Sequence, residues 1–532
     1  MSADSLLDLP PYRLTFGSAR TGDRVPVIET GGRTYWLASR YDPARDVEQF
    51  SAQLSPDAGD LLILAGGGPA VLRAVLARPG AFWIAYVEPI PELRDDAYPA
   101  DPRLVVHRTT DELFEWLNSL GVETLRRYQL VVYPPLKAPF GDYLKGLAAA
   151  TQAAFDKRIS SIQTLLAVGE LAVSNLIVNL PAFSRMAPVR RLFSAAPGSV
   201  ACVAASGPGL DDAVPEFQRL RDRICLVAVD SAVLPLIDRG LVPDAAVCLD
   251  PREDLVDHIE PIGASDRKRL VWVVSAAIHP AVNRLLEGCR RFVFAGDHPM
   301  ETWFSSRAGD PGILAGGGSV ILPAFDLARR LGAATIVLAG ADFSMGKDLR
   351  MHASGTGRMQ KTVSTQNRFE PLETSMFQDA ESRAPKHIKV EGGIIRSGEN
   401  LLAYRHQLDS LIATFEGRCL QFAPRLQLER ATPCRNLRDL GDLPIRKDRS
   451  LCTETDEAWM TESIVRALQA ELRARWSAKD PGRDGLFRTA IEARVFRRIR
   501  AGPEPVGKIW LEETDRMRSE WIRLADQSWE AR

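Results

Sequence analysis

The sequence Ser199-Val-Ala-Cys-Val-Ala-Ala-Ser-Gly-Pro-Gly-Leu210 decides the fold of this chain. Its apolar run from Val200 to Ala205 predicts a buried strand. A glycine-rich turn follows, and Asp211 and Asp212 then lead into a helical pattern. Glycines let a backbone approach an anion closely, and the free N–H groups of a helix start point at it. The stretch therefore predicts an anion site, although an ordinary tight turn between strand and helix shows the same pattern.

Short apolar runs continue on both sides of this strand and alternate with helical patterns, which predicts a parallel, doubly wound sheet. Ligands bind such sheets beyond the carboxyl ends of the strands. The polar or glycine-rich residues expected at that edge are Ser206 to Gly209, Asp230, Asp250, Asp297, Ser319 and Asp342. One acid at such a place is more often a turn or cap residue, but the whole set indicates a binding site.

Length and pattern divide the 532 residues into four parts. Residues 1–140 combine a strand-rich start with a small Rossmann-like unit, and residues 141–194 form a helical connector. Residues 195–430 form the central domain, and residues 431–532 form a helical C-terminal domain. The predicted fold class is α/β: a central doubly wound Rossmann-like sheet, preceded by a smaller α/β domain and followed by a helical one.

The smaller α/β unit has a glycine turn of its own. A strand that ends at Ala65 runs into Gly66-Gly67-Gly68, and the next strand ends at Glu88. An acid at that place can bind a ribose diol, so a nucleoside or methyl-donor site is one interpretation. A structural domain without a ligand is the other, because no further residue of this part is typical of such a site.

Composition limits the classes of partner and compartment. The 67 basic and 68 acidic residues give a net charge of −1, so the chain has no global positive field for nucleic acid. Seven cysteines without C-x-x-C spacing predict reduced packing residues. Neither a signal-peptide pattern nor an apolar run of about 18 residues is present. These patterns predict a cytoplasmic protein.

A long polar insertion follows the last strand of the central alternation. Residues 343–396 show little apolar pattern, which predicts a flap over the site. This insertion contains His352 and His387. No cluster of metal-ligand spacing is present in the sequence, so we expect no metal and no cofactor to be required.

The spaced motifs of the central domain resemble the motility-associated factor family, bacterial proteins implicated in glycosylating flagellin with nine-carbon nonulosonic acids. The stretches that carry the resemblance are 205–210, 228–232, 240–251, 318–319, 340–343 and 351–355. The same core resembles bacterial sialyltransferases that use a CMP-sugar donor. Pterin diphosphokinases share a related core and are the second family of reference.

The resemblance implies roles for individual residues of the predicted edge. The residues that would hold the nucleotide are Ser206, Gly207, Pro208 and Gly209. The residues that would line the rest of the donor pocket are Asp230, Ser231, Asp250, Gly318, Ser319, Gly340 and Phe343. We expect Gly207→Trp to abolish nucleotide binding without unfolding the domain.

Transfer of a nonulosonic acid from CMP needs a base for the acceptor hydroxyl and stabilisation of the departing phosphate. The candidate bases are His352 and His387, with Asp342 as a base or as a partner to either. The leading hypothesis is a glycosyltransferase that moves the sugar to serine or threonine of flagellin, its protein partner. The alternatives are a pterin-type diphosphokinase that uses ATP and Mg²⁺, and a non-catalytic flagellin-binding module.

Overall fold

The computed structural model describes most of the chain, and the described residues are 9–54, 61–78, 83–94, 98–119, 128–296, 298–346, 349–364, 386–390, 393–440, 445–446, 451, 460–476, 490–491, 494 and 506–529. The chain folds as two compact units, residues 1–164 and 165–532. Asp297 and residues 365–385 of the predicted flap lie outside the described residues.

The first unit contains an antiparallel and a parallel sheet. The antiparallel sheet has the order β1-β2-β3, with β1 Arg13–Ser18, β2 Arg24–Thr30 and β3 Arg33–Trp36. The parallel sheet has the order β6-β5-β4-β7, with β4 Leu61–Ala65, β5 Trp83–Val87, β6 Leu104–His107 and β7 Tyr128–Val132. Three helices accompany them: α1 Pro43–Gln53, α2 Gly68–Leu76 and α3 Thr110–Ser119. This strand order is that of half a Rossmann fold, as predicted.

A single long helix occupies most of the predicted connector. This helix, α4, spans Gly141–Asn179, and the division between the two units falls within it. Short 3₁₀ turns at Leu180–Arg185 and Val189–Leu192 follow, with the two-residue strand β8 (Ala187–Pro188) between them. This strand is too short to be recognised from sequence. The predicted domain boundaries at 140, 194 and 430 stay predictions.

The second unit is built on a nine-stranded sheet whose strands all pair in parallel, in the order β18-β17-β14-β9-β10-β11-β12-β13-β8. Its strands after β8 are β9 Val200–Ala204, β10 Ile224–Val229, β11 Ala245–Cys248, β12 Val271–Ser275, β13 Arg290–Phe294, β14 Thr335–Ala339, β17 Arg418–Phe422 and β18 Thr432–Cys434. From β9 the chain adds strands on one side and returns at β14 on the other. The predicted parallel, doubly wound sheet is confirmed.

Helices connect these strands and cover the sheet. They are α5 Leu210–Leu220, α6 Asp230–Asp238, α7 Val256–Ile259, α8 Ala264–Arg267, α9 Pro280–Leu285, α10 Pro299–Ala308, α11 Ile321–Arg330, α12 Gly357–Ser364 and α13 Glu399–Ile412. Every residue of β9 and β10 is buried. Continuous apolar strands of this kind are typical of parallel sheets covered on both faces.

One strand, one helix and one hairpin depart from the sequence expectations. Strand β18, which the sequence does not reveal, pairs beside β17 and contains Pro433, which only an edge strand accommodates easily. The predicted flap contains helix α12 and the hairpin of β15 (Lys386–Val390) and β16 (Gly393–Ser397). The polar composition of the insertion as a whole hid both elements, because their short apolar runs lie within a long polar stretch.

The C-terminal part is helical, as predicted, within the residues that the structure describes there. Helix α14 (Glu462–Trp476) buries a regularly spaced apolar face: Val465, Leu468, Leu472 and Trp476. Helix α15 (Val506–Trp529) buries Met517 and Trp521 in the same core. No described helix is both long and apolar enough to cross a membrane.

Candidate functional site

The carboxyl ends of β9 and β14 meet where the strand order reverses, the place at which open α/β sheets bind ligands. The loops that follow these strands touch each other directly. The N–H of Ala205 donates to the carbonyl of Ala339 (2.8 Å), and the N–H of Gly207 donates to the carbonyl of Gly340 (2.9 Å). The structure therefore brings together the predicted edge residues that follow these two strands. The contacts that join them are hydrogen bonds between backbone groups.

The glycines of the turn are required by this contact. A Cβ atom at Gly207 would lie 2.5 Å from Asp342 Oδ2 and closer still to the carbonyl oxygen of Gly340. A Cβ at Gly209 would lie 2.8 Å from Asp342 Oδ1. Gly340 has a φ of +67°, which disfavours any side chain. The sequence suggests that these glycines allow an anion to approach closely. In the structure they allow the close approach of another loop.

The sequence predicts free amide hydrogens at this turn that could bind an anion, and this prediction is wrong. Besides Gly207, the N–H of Gly209 donates to Asp342 Oδ2 (2.6 Å), and the N–H of Leu210 donates to the Gly207 carbonyl (3.0 Å). The N–H of Asp211 donates to the Pro208 carbonyl (3.2 Å). Since these donors are already used, the turn does not present them to a phosphate.

Asp342 has a structural position under the turn. It is 3% exposed, and burial raises the pKa of its carboxyl above the usual value, while the bond from Gly209 opposes this rise. Its carboxylate lies at the start of α5, where the helix dipole favours a negative charge. Asp342 therefore caps a helix, and this geometry does not favour its predicted role as a base.

A pair of serine hydroxyls lies beside the closed turn. Ser231, in the first turn of α6, donates from Oγ to Ser206 Oγ over 2.9 Å. Ser206 Oγ lies 3.5 Å from Nδ1 of His352. The structure thus joins three predicted site residues that are distant in sequence, from the turn after β9, the end of β10 and the insertion.

The segment that carries His352 is anchored on both sides of this residue. The N–H of Ala353 donates to the carbonyl of Ser206 (2.8 Å). The N–H and Oγ of Ser354 donate to Asp211 Oδ2 (3.1 and 2.9 Å), and Arg239 binds both Asp211 (2.9 Å) and the carbonyl of Ser354 (3.2 Å). These bonds hold the described start of the insertion against the sheet edge and position the imidazole.

Asp230 contacts a histidine that the sequence analysis missed. Its side chain is 6% exposed, and Oδ1 accepts the N–H of Ser231 (2.5 Å) and lies 3.3 Å from Nδ1 of His258. His258 belongs to the one-turn helix α7. Its pairing with a residue 28 positions away leaves no signal in the sequence, apart from the strand end that marks Asp230.

A second polar group follows β11. The Arg252 side chain donates to Asp250 from Nη2 (2.6 Å) and from Nε (3.0 and 3.2 Å), and it is 57% exposed. Tyr404 lies near both: burial raises the pKa of its phenol, Arg252 opposes the rise and Asp250 adds to it. Gly318 packs so tightly against Tyr404 that a Cβ would lie 2.5 Å from the ring. Ser319 precedes α11, and the phosphate contact expected of Gly318 and Ser319 stays a prediction.

Two predicted residues lie elsewhere. Phe343 is buried, and its carbonyl accepts a hydrogen bond from Ser397 Oγ (2.6 Å), so it ties the loop after β14 to hairpin strand β16. His387 is exposed on β15, opposite Arg396. Among the described contacts, none joins His387 to Ser206, Ser231 or Asp230. No three His, Cys, Asp or Glu side chains among the described residues are grouped to hold a metal ion.

In the first unit, the side chain of Glu88 binds the glycine turn that follows β4. Its carboxylate accepts hydrogen bonds from Tyr86 Oη (2.7 Å), the N–H of Gly68 (3.2 Å) and the N–H of Ile90 (3.3 Å), and the residue is 1% exposed. Burial is the largest cause of a rise in its pKa from 4.5 to about 7. Since these bonds occupy the carboxylate, the geometry favours the structural interpretation of this unit over a ribose site.

We expect the stability of the first unit to depend on the protonation of Glu88. A pKa that is higher in the folded chain gives stability that is greatest below about pH 4.5 and is lost as the pH rises through about 7. The loss amounts to about 3 kcal/mol. Glu88→Gln should remove this dependence, which hydrogen exchange of the β4 and β5 amides can measure in both proteins between pH 5 and 8.

The control for this prediction is Glu48→Gln, which changes an exposed glutamate on α1. The control protein should keep the pH dependence of the wild-type chain, because the substituted side chain is solvated. The role assigned to Glu88 is contradicted if Glu88→Gln and wild type lose protection in parallel across this range.

Part of the second unit matches the model of a known family. Residues 174–348 fit the family model described as 6-hydroxymethylpterin diphosphokinase MptE-like. The matched segment contains the glycine-proline turn, Ser231, Asp230 and His258, while His352 lies four residues beyond its last matched residue, 348. None of the curated proteins matches the chain in sequence.

The fold of the whole chain also has a match among solved structures. The MAf glycosyltransferase from Magnetospirillum magneticum AMB-1 superimposes with a TM-score of 0.53 and 14% sequence identity, over 99% of this chain and 90% of that chain. At this identity the match shows a shared fold. Together with the match of residues 174–348 to the MptE-like model, it confirms the predicted resemblance to motility-associated factors and the predicted α/β fold class.

Proposed function

We propose that this protein is a glycosyltransferase that moves a nonulosonic acid from a CMP-activated donor to serine or threonine hydroxyls of flagellin. The observation that carries the proposal is the bonded chain of Asp230, Ser231, Ser206 and His352 at the carboxyl edge of the sheet. It supplies hydroxyls and imidazole where a sheet of this topology binds ligands. The shared fold with the MAf glycosyltransferase supports the reaction class.

The closed turn changes how the donor is held. Because the amides from Gly207 to Asp211 are used internally, the donor phosphate is bound by side chains in this proposal. The hydroxyl of Ser206 donates to its oxygens while it accepts from Ser231, and the exposed guanidinium of Arg252, which is paired with Asp250, supplies the positive charge. Such contacts stabilise the charge that the phosphate gains as CMP departs.

CMP binding tests this proposal directly. Isothermal titration calorimetry of the wild-type chain with CMP should show one binding site. Ser206→Ala should weaken binding about 10-fold or more, since a hydrogen bond to a charged group contributes roughly 1.5–3 kcal/mol. Ser199→Ala is the matched control, because Ser199 precedes the opposite end of the same strand and bonds to the Ala196 carbonyl. A folded wild-type chain that binds no CMP contradicts the proposal.

The description of the matched family favours a second candidate, a diphosphokinase acting on a pterin-like alcohol. This reaction needs ATP and Mg²⁺ and releases AMP. Calorimetry with ATP and Mg²⁺ on the same samples separates the two candidates, because each predicts binding of a different nucleotide. Flagellin capture without turnover of either nucleotide would instead indicate a binding module.

A further inference from the structure

A hydrogen-bonded network at the carboxyl edge of the sheet has a histidine at each of its two ends. His352 lies at one end, beside Ser206 and Ser231. At the other end, Asp230 accepts the amide of Ser231 and contacts His258. The backbone of Ser231 thus links the hydroxyl pair to an aspartate–histidine dyad, and both imidazoles border the site to which the proposed function assigns the donor.

The dyad has the geometry of an oriented base. A carboxylate accepts and does not donate when ionised, so Asp230 Oδ1 favours the His258 tautomer that carries its proton on Nδ1. That tautomer leaves the lone pair on Nε2. A buried carboxylate that holds one imidazole nitrogen is the recurrent way to present the other nitrogen as a base. The His258 side chain is 21% exposed, which gives a substrate access to it.

Two other candidate bases have different contacts at the atoms that are described. Asp342 is buried under the turn and bonded to the amide of Gly209. His352 Nδ1 faces the hydroxyl of Ser206, and a hydroxyl can donate or accept, so this contact does not select a tautomer.

The insertion that carries His352 also touches the helix of His258. A Cβ atom at Gly357, the first residue of α12, would lie 3.4 Å from the Cα of His258 and would collide with the carbonyl oxygen of Asp257. Helix α12 therefore rests directly on the backbone of α7. This contact fixes α7 and brings the start of the insertion to both ends of the network.

We propose that His258 is the general base for the acceptor hydroxyl and that Asp230 is the residue that positions it. This proposal rests on the proposed function. The hydroxyl oxygen of serine or threonine attacks the anomeric carbon of the sugar, and its proton passes to Nε2 of His258. The bond from that carbon to the phosphate oxygen breaks, its electron pair leaves with CMP, and His258 then loses the proton to water.

The experiment compares His258→Ala, His258→Gln, Asp230→Asn and His352→Ala in the full chain. Each is tested for folding by thermal denaturation, for CMP affinity by calorimetry, and for transfer from CMP-pseudaminic acid to a purified bacterial flagellin. Both His258 variants should lower kcat about 100-fold or more, the usual contribution of a general base. Their CMP dissociation constants should stay within about 2-fold of wild type, a small free-energy change.

Free imidazole separates a base from a structural residue. It should restore part of the kcat of His258→Ala, whose side-chain space it can fill, and should not restore His258→Gln. Asp230→Asn should lower kcat while leaving KM for the donor nearly unchanged, since it disturbs the orientation of the base.

The outcomes distinguish this proposal from the proposed function. Wild type that binds CMP and transfers sugar, with His258→Ala at full kcat, overturns the dyad alone. The role of His258 is also overturned if free imidazole restores the kcat of His352→Ala and does not restore that of His258→Ala. A wild-type chain that binds no CMP and transfers no sugar refutes the proposed function, and the role of His258 as a base is refuted with it.

Discussion

Gly207→Ala is expected to destabilise the central domain by about 1–3 kcal/mol, although it adds a single methyl group. The new carbon would lie 2.5 Å from Asp342 Oδ2 and closer to the Gly340 carbonyl, so the two loops must separate. Separation weakens the bond between the Gly207 amide and that carbonyl. Differential scanning calorimetry should show a fall in Tm of roughly 2–10 °C for a domain of this size.

The matched control is Gly398→Ala, in the same unit. Gly398 has a φ of −102° and no atom within 4 Å of its added Cβ, so a methyl group meets neither strain nor contact. Its Tm should stay within about 2 °C of wild type. If both variants melt with the wild-type chain, the turn does not bear on Gly340 as described.

The geometry around Gly207 also revises the expectation for Gly207→Trp. From sequence alone, a large side chain there should block a nucleotide without unfolding the domain. In the structure, the position faces a backbone carbonyl and a buried carboxylate, so tryptophan should disrupt the fold before it excludes any ligand. Loss of CMP binding in Gly207→Trp therefore carries no information about the site, and the Ser206 hydroxyl is the better probe.

The sequence was sufficient to predict the sheet but not the chemistry of its edge. Continuous apolar runs such as Ile224–Val229, each ended by a polar residue, predict buried parallel strands because both faces of such a strand are covered. Glycine in Gly207-Pro208-Gly209 signals close approach without saying of what. The answer, the loop of Gly340 and Asp342, lies more than 130 positions away.

The same limit explains the missed dyad. Asp230 could be predicted as a site residue because it ends a strand, whereas His258 lies in a four-residue helix with no periodic pattern. Nothing in the local sequence links the two, since their contact depends on how α7 packs against α6. His352, by contrast, could be predicted because a long polar insertion next to a strand end is itself unusual.

Asp244→Ala should cost the second unit about 3–5 kcal/mol, the usual penalty for breaking a buried ion pair. The side chain of Asp244 is 4% exposed and binds Arg221 (2.9 and 3.1 Å), Arg446 (3.2 Å) and the N–H of Leu226 (2.7 Å). Its removal leaves two guanidinium groups, 17% and 12% exposed, close together without this carboxylate. The expected fall in Tm is roughly 6–15 °C.

Trypsin gives this prediction a local readout. The N–H of Arg446 donates to the Asp222 carbonyl (2.8 Å), and its guanidinium bonds the Ile224 carbonyl (3.0 Å) as well as Asp244. Once the carboxylate is removed, mass spectrometry should detect faster cleavage after Arg446. Asp142→Ala serves as the control, because Asp142 forms an exposed pair with Lys145, and such pairs contribute little. Equal cleavage rates in both variants contradict the assigned role, since the Asp244 carboxylate then does not hold Arg446 against the sheet.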